Sequence, residues 1–278
     1  MLVPRGSASV THRVCHRGCV GVSDNVGGAW REVVHASCGA LAALGATGGE
    51  PRAVARFGSL TCADLGVGHS WGVQAAYGMT PKPADLDTAV AWLRLRAAGG
   101  GWEVSVPRSQ VAQSIWGSLT DVGRKPVYAI SPDAALFMAR DTPRGLTLTT
   151  SPTRDEVVAG YGGWMDDLPL AQRLVTPTDL VQAQRRFVCG RVEGRVIGCA
   201  FVWWSGSTAY LSGIGVLAGE RGRGCGWALT AAAARVAVAE APGGRPDVVW
   251  MYATDEGAAL YSRMGFERID VHVSLSEA

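Results

Sequence analysis

The residues best suited to chemistry lie in one strand-to-helix turn, Val216-Leu-Ala-Gly-Glu-Arg221-Gly222-Arg223-Gly224-Cys225-Gly226-Trp227. Backbone N–H groups in such a turn converge, and the helix N-terminus adds about half a positive charge. The result is an anion site suited to a pyrophosphate. Glycines are needed because a Cβ would block close approach, and Arg221 and Arg223 can add charge from the rim. Two better-known loops do not match. A dinucleotide fingerprint needs Gly where Trp227 stands, and a P-loop would end in Gly-Lys-Ser/Thr. Elsewhere, Asp166-Asp167 follows Trp164 and Met165. An acidic pair beside an aromatic suits a cationic amine, and equally suits a solvated loop. His12-x-x-Cys15-His16-x-x-Cys19 has metal-ligand residue types but lacks a second half, so no metal site is expected.

The elements that would carry these residues follow from the chain's patterning. At 278 residues with 47% hydrophobic and 18% charged, the chain can bury one large core or two smaller ones. A net charge of +2 argues against nucleic acid or a membrane surface as partner. No apolar run reaches the roughly 20 residues needed to span a bilayer. Leu2–Ser7 reads LVPRGS, a protease-cleavage linker set aside from fold reasoning. Seven cysteines without scaffold spacing point to free thiols and a reducing cytoplasm.

Periodicity predicts helices over 24–44, 85–98, 109–119, from Arg154 onward, over 224–241 and over 256–264. Strands are predicted at 53–57, 70–75, 102–106, 126–130, 146–150, 210–217, 248–253 and 268–275. A hairpin joins 185–192 to 196–204 across Glu193-Gly194. Strands alternating with helices imply an α/β (α+β) fold, a mixed central sheet with helices on both faces. Residues 1–22 are expected to be linker and tail, 23–140 a smaller α/β domain, and 141–278 the domain that holds the turn. There is also a faint repeat. Trp102–Val106, a helix and Val127–Ile130 parallel Val249–Ala253, a helix and Val271–Leu275.

Arg221-x-x-Gly224-x-Gly226 after a Val-rich strand, with Leu260-Tyr261-x-x-x-Gly265-Phe266 downstream, resembles the GNAT N-acetyltransferase superfamily. The resemblance covers Leu146–Leu275 and suggests a tandem arrangement with a degenerate first domain. It implies a phosphopantetheine thioester as donor, acetyl-CoA or another acyl-CoA, with no metal. The pyrophosphate would rest on the amides of Arg223, Gly224, Cys225, Gly226 and Trp227, with Arg221 and Gly222 completing the loop. The pantetheine would pair with the strand at Ile214–Val216, splayed by a bulge that Gly213 and Gly215 suit. Val216 N–H would meet the oxyanion, and Tyr261 would protonate the leaving thiolate. On the residues alone, Tyr261 reads better as a core tyrosine on an amphipathic helix beside Leu260 and Met264, and the family context is what favours the catalytic role.

Tyr210–Leu217 lacks the carboxylate base often found in this family. Asp255, Glu256, Asp166 and Asp167 are the candidates that remain, although acidic residues in a first helical turn are also explained by the helix dipole. Trp164, Asp166 and Asp167 fall where the family builds its acceptor pocket. The expected reaction is N-acylation of a small-molecule amine by a cytoplasmic monomer or homodimer. An acyl carrier protein as donor, in a biosynthetic pathway, and an inactive acyl-CoA-sensing module are the alternatives.

Overall fold

The computed structural model describes residues 24–43, 53–64, 69–74, 79–97, 100–138 and 142–277. His12, Cys15, His16 and Cys19, with the rest of 1–22, lie outside them. The chain starts with α1 (Asp24–Ala43), then β1 (Ala53–Phe57), β2 (Leu60–Asp64), β3 (His69–Gln74), α2 (Pro83–Ala97) and β4 (Gly101–Pro107). It continues with α3 (Arg108–Val111), β5 (Thr120–Ile130), α4 (Pro132–Leu136), β6 (Leu146–Thr149), α5 (Arg154–Met165) and α6 (Leu168–Leu174). Then come β7 (Arg185–Val192), β8 (Arg195–Ser205), β9 (Thr208–Val216), α7 (Cys225–Ala239), β10 (Val248–Tyr252), α8 (Asp255–Arg263) and β11 (Glu267–Ser276).

Burial explains the layering. Every residue of β8 from Ile197 to Ser205 is buried, and a strand apolar on both sides needs helices over both faces. Its alternate residues do enter different cores. Ala200, Val202 and Trp204 pack with α4, α7 and α8, whereas Cys199, Phe201 and Trp203 pack with α1, α5 and α6. Small residues let the helices close in. Gly160 of α5 lies so near Gly198 that an added Cβ would sit 3.1 Å from its backbone. The α5 helix begins in a capping box between Thr153 and Glu156 and stops at Asp166, whose φ of 57° is left-handed.

All eleven strands form one sheet, in the order β1-β2-β3-β4-β11-β5-β10-β9-β8-β7-β6. Read inward from one edge, β1-β2-β3-β4-β11 pair antiparallel, antiparallel, parallel, antiparallel. The run β7-β8-β9-β10-β5 repeats that pattern step for step. The last strand of each run comes from the other half of the chain, and the two exchanged strands pair with each other at the centre. The faint sequence repeat falls on equivalent units of this topology, β4-α3-β5 and β10-α8-β11.

The predicted helix over 109–119 is broken. Gln113 is extended (ψ 133°) between α3 and a single 3₁₀ turn at Ser114–Trp116, which buries the Trp116 ring. Strand β5 begins at Thr120 rather than Pro126, and β2 joins the predicted strands. Among the described residues, no helix is long and apolar enough to cross a membrane.

Candidate active site

The turn after β9 has the conformation its glycines permit. Gly222 and Gly224 have φ of 75° and 85°, the left-handed region where a side chain is strained. Gly224 is the N-cap of α7 and offers no side chain, and the first intrahelical bond is from Ala228 N to Gly224 O. The amides of Cys225 and Gly226 therefore have no helical acceptor at the positive end of a 15-residue helix. Arg221 folds back and donates Nε to Val216 O at 3.1 Å, tying the loop to the strand. Arg223 donates to buried Glu220 at 2.6 Å, and Arg195 from β8 donates to the same carboxylate at 2.6 Å. Arg195 has no sequence motif to flag it, because it acts through Glu220.

The strand feeding this turn leaves the sheet part-way. The parallel pairing of β9 with β10 runs from Thr208 and Val248 to Leu211 and Met251 and stops there. On the other side the register with β8 slips between Phe201↔Ser212 and Cys199↔Gly215, so Gly213 and Ile214 bulge. Gly213 has φ of 56°, and a Cβ there would meet the Phe201 ring at 2.8 Å. Beside the opening lies a cavity of about 290 Å³, bordered by Ser212 and Gly213 of β9, by Tyr252 of β10 and by Ala253 and Thr254 just after it. Tyr161, Phe201 and Tyr210 line it with aromatic rings. Trp71 of β3 and Lys125 of β5 reach it from the first half of the chain. Arg185 also borders it, held by Asp179 and packed 3.8 Å from the Trp203 ring centroid.

A glycine-turned helix start beside a strand that bulges away from its parallel neighbour is the geometry the resemblance implied. Residues 183–268 match the acetyltransferase (GNAT) domain family. The fold of nearly the whole chain is similar to a GCN5-related N-acetyltransferase from Kribbella flavida, with 22% identity and a TM-score of 0.67 over 88% of this chain and 95% of that one. A tandem GNAT protein from the clavulanic acid biosynthesis pathway is similar at 17% identity and a TM-score of 0.58, over 91% and 94%. A GCN5-related N-acetyltransferase from Sphaerobacter thermophilus shares 16% identity at a TM-score of 0.55, over 78% and 76%. No curated protein matches in sequence.

The residues singled out from the sequence fall in different places. Tyr261 sits in α8, packed near Phe266 and Tyr128 with ring centroids 6.0 and 6.4 Å away. Burial pushes its hydroxyl up to about 12, so it stays protonated at neutral pH and is able to donate. Val216 is buried where β9 ends, and its carbonyl is taken by Arg221. Asp255 and Glu256 are exposed in the first turn of α8, where Thr254 caps the helix by accepting from Gly257 N at 3.1 Å. Asp167 caps α6 by accepting from Leu170 N at 2.8 Å, and Asp166 is exposed at the end of α5. Neither borders the cavity. The Trp164 ring covers Gly215, where a Cβ would overlap it at 2.1 Å, so it packs on the bulged strand. None of the four candidate carboxylates faces the acceptor space.

The groups that sequence reasoning missed lie behind Tyr252. Its hydroxyl is 2.8 Å from His272 Nδ1, His272 Nε2 is 2.9 Å from His35 Nδ1, and His35 Nε2 is 3.0 Å from Asp270 Oδ2. Ser105 Oγ approaches His272 Nδ1 at 3.3 Å, and Cys38 Sγ approaches Tyr252 Oη at 3.6 Å. These residues come from α1, β4, β10 and β11, so no local spacing could reveal them.

Proposed function

We propose that this protein is an N-acyltransferase that moves an acyl group from acyl-CoA to the amine of a small molecule. The observation that carries the reading is the bulge at Gly213 and Ile214, which puts the anion-binding turn and the aromatic cavity at one gap in the sheet. The turn suits a pyrophosphate, because Gly224 gives α7 no side-chain cap over the Cys225 and Gly226 amides and Gly226 leaves the approach open. The unpaired edge of β9 beyond Ser212 offers main-chain groups to the pantetheine.

The reaction is a direct transfer. The amine lone pair forms the C–N bond at the thioester carbonyl, Val216 N–H meets the oxyanion, and the C–S bond then breaks. Tyr261 gives its proton to the departing thiolate. Burial raises this phenol from about 10 to about 12, above an alkyl thiol, so Tyr261 is still protonated when the thiolate forms and the transfer runs modestly uphill. Flat walls from Trp71, Tyr161 and Tyr210 favour an acceptor with an aromatic or otherwise planar apolar body. Lys125 and Arg185 are the charged residues at the cavity, so the amine is favoured as the neutral, nucleophilic form. The two halves, 23–140 and 141–278, act as one unit in this reading, since both supply the acceptor cavity.

The test is thiol release from acetyl-CoA with a panel of small aromatic primary amines, alongside thermal protection by acetyl-CoA. Amine-dependent release together with a raised Tm supports the enzyme. Protection without release for any amine supports a binding module instead, and neither effect removes the reading.

A further inference from the structure

Forming an amide from a neutral amine requires the nitrogen to lose a proton, yet no carboxylate borders the cavity among the described residues. What does border it is Tyr252, the inner end of the line Tyr252–His272–His35–Asp270. The direction of this line is fixed from its far end. Asp270 as a carboxylate can only accept, so His35 Nε2 donates to it. His35 Nδ1 must then accept from His272 Nε2, which leaves His272 Nδ1 to accept from the Tyr252 hydroxyl. A single pair of tautomers satisfies every bond. Both imidazoles are fully or almost fully buried, while the Asp270 side chain is 13% exposed.

The surroundings suit a neutral line ending on a carboxylate. Burial would raise the Asp270 carboxyl, but hydrogen bonds from His35 and Val271 outweigh it and hold the group below its ordinary value. Burial also holds His272 well below the usual imidazole value, so it rests neutral. The charged and titratable groups around the line are Arg31 and Cys38 on α1, Glu103 on β4 and Lys125 on β5, the last two paired with each other.

We propose that Tyr252 is the base that receives the acceptor amine's proton and that His272, His35 and Asp270 are the relay that carries the charge away. The inference rests on the acyltransfer reading above. As the C–N bond forms, the N–H proton goes to Tyr252 Oη and the Tyr252 proton goes to His272 Nδ1. The His272 Nε2 proton passes to His35 Nδ1, and the His35 Nε2 proton to Asp270 Oδ2. One proton ends on the carboxylate, and no charge is left on the phenol or on either ring. The line runs back to water in the cavity once the amide has left. A proton on Tyr252 alone would require a phenolate nearby, which burial disfavours, and the relay removes that need.

The test uses the full chain, acetyl-CoA and whichever aromatic amine the wild type turns over best. Tyr252→Phe, His35→Gln and Asp270→Asn should each lower kcat at least about ten-fold near neutral pH, the low end for a general base. The KM for acetyl-CoA should stay within two-fold. Raising the pH should restore the variants towards wild type, because hydroxide can then take the N–H proton in place of the relay; a packing defect would not recover in this way. Asp270 is partly exposed, so Asp270→Asn tests the relay even if the buried variants fold poorly. A wild type active on amines, with an Asp270→Asn variant of equal kcat and equal pH profile, would overturn the relay and leave the acyltransfer reading standing. A wild type silent on every amine defeats both. His35, Cys38 and His272 also bring ligand atoms within 4.8 Å of one another. A stoichiometric metal ion in the purified protein, lost in His35→Gln, would overturn the relay in favour of a metal site.

Discussion

The anion-binding turn and the acceptor cavity meet at one gap in the sheet but are made in opposite ways. The turn is main chain: two amides, two left-handed glycines and a helix start, all within Gly222–Gly226. The cavity is side chain, assembled from β3, β5, α5, α6, β7, β8, β9 and β10, with Trp71 and Lys125 supplied by the exchanged half. Contiguous backbone sites impose residue types at fixed spacing, so they can be read from a sequence. A site assembled across a sheet leaves no such trace, because any residue of suitable size can serve at each position.

The largest expected effect separates the two regions directly. Gly226→Asp should abolish acetyl-CoA binding, with at least 100-fold weaker affinity by calorimetry, while far-ultraviolet circular dichroism stays unchanged. A Cβ at Gly226 meets only Leu260 and Val216, at 3.6 and 3.9 Å, so the fold accepts it. Its carboxylate then repels the pyrophosphate from the open amides. Gly224 is the poorer choice for this test, because its φ of 85° makes any side chain there strain the loop as well. Unaltered affinity in a folded Gly226→Asp protein would take the turn out of the mechanism.

Tyr261→Phe should come next. Turnover should fall at least about ten-fold with acetyl-CoA affinity within a few-fold, since the hydroxyl acts on the leaving group. The sign of its pH dependence follows from burial. A hydroxyl pushed up to about 12 stays protonated across the working range, so Tyr261 should impose no alkaline limb until close to that pH. Equal kcat in the two proteins would make Tyr261 a packing residue beside Phe266.

Trp71→Ala tests the other half of the comparison. Trp71 is buried in the first half yet borders the cavity of the second. Its loss should raise the KM for an aromatic amine roughly five- to ten-fold, about the worth of one aromatic contact, and leave acetyl-CoA affinity unaltered. An unchanged KM would confine acceptor binding to the second half of the chain.

The same contrast explains what could be read in advance. The strands of the second half were legible because β7, β8 and β9 alternate or run apolar, and because Glu193 and Gly194 both take positive φ in the hairpin turn. The first part of β5 was not. Thr120–Lys125 is polar and largely exposed, and it is a strand because β11 pairs with it. The 109–119 helix failed because burying Trp116 overrode the local pattern. Among site residues, Asp166 and Asp167 suggested an amine site, yet they end one helix and begin the next. His35 and His272 stand 237 positions apart and meet only because the two halves exchange strands.

The smallest effect concerns the rim of the turn and distinguishes the donors. Arg223 is exposed and already shares Glu220 with Arg195, so its charge is partly spent within the protein. A surface pair of this kind is worth about 1 kcal/mol or less. Arg223→Ala should therefore weaken CoA binding only two- to five-fold, and salt should weaken the wild type about as little. A carrier protein would present many acidic groups to Arg195, Arg221 and Arg223 together, so both the substitution and added salt should cost it far more. Turnover of one acyl group would be compared on CoA, on pantetheine and on a carrier protein, each at low and moderate ionic strength. A clear preference for CoA with a shallow salt response keeps the donor contact on the main-chain amides. A ten-fold preference for the carrier with a steep response moves the deciding contact to the arginines. The turn would then hold its donor by side chains, as the cavity holds its acceptor.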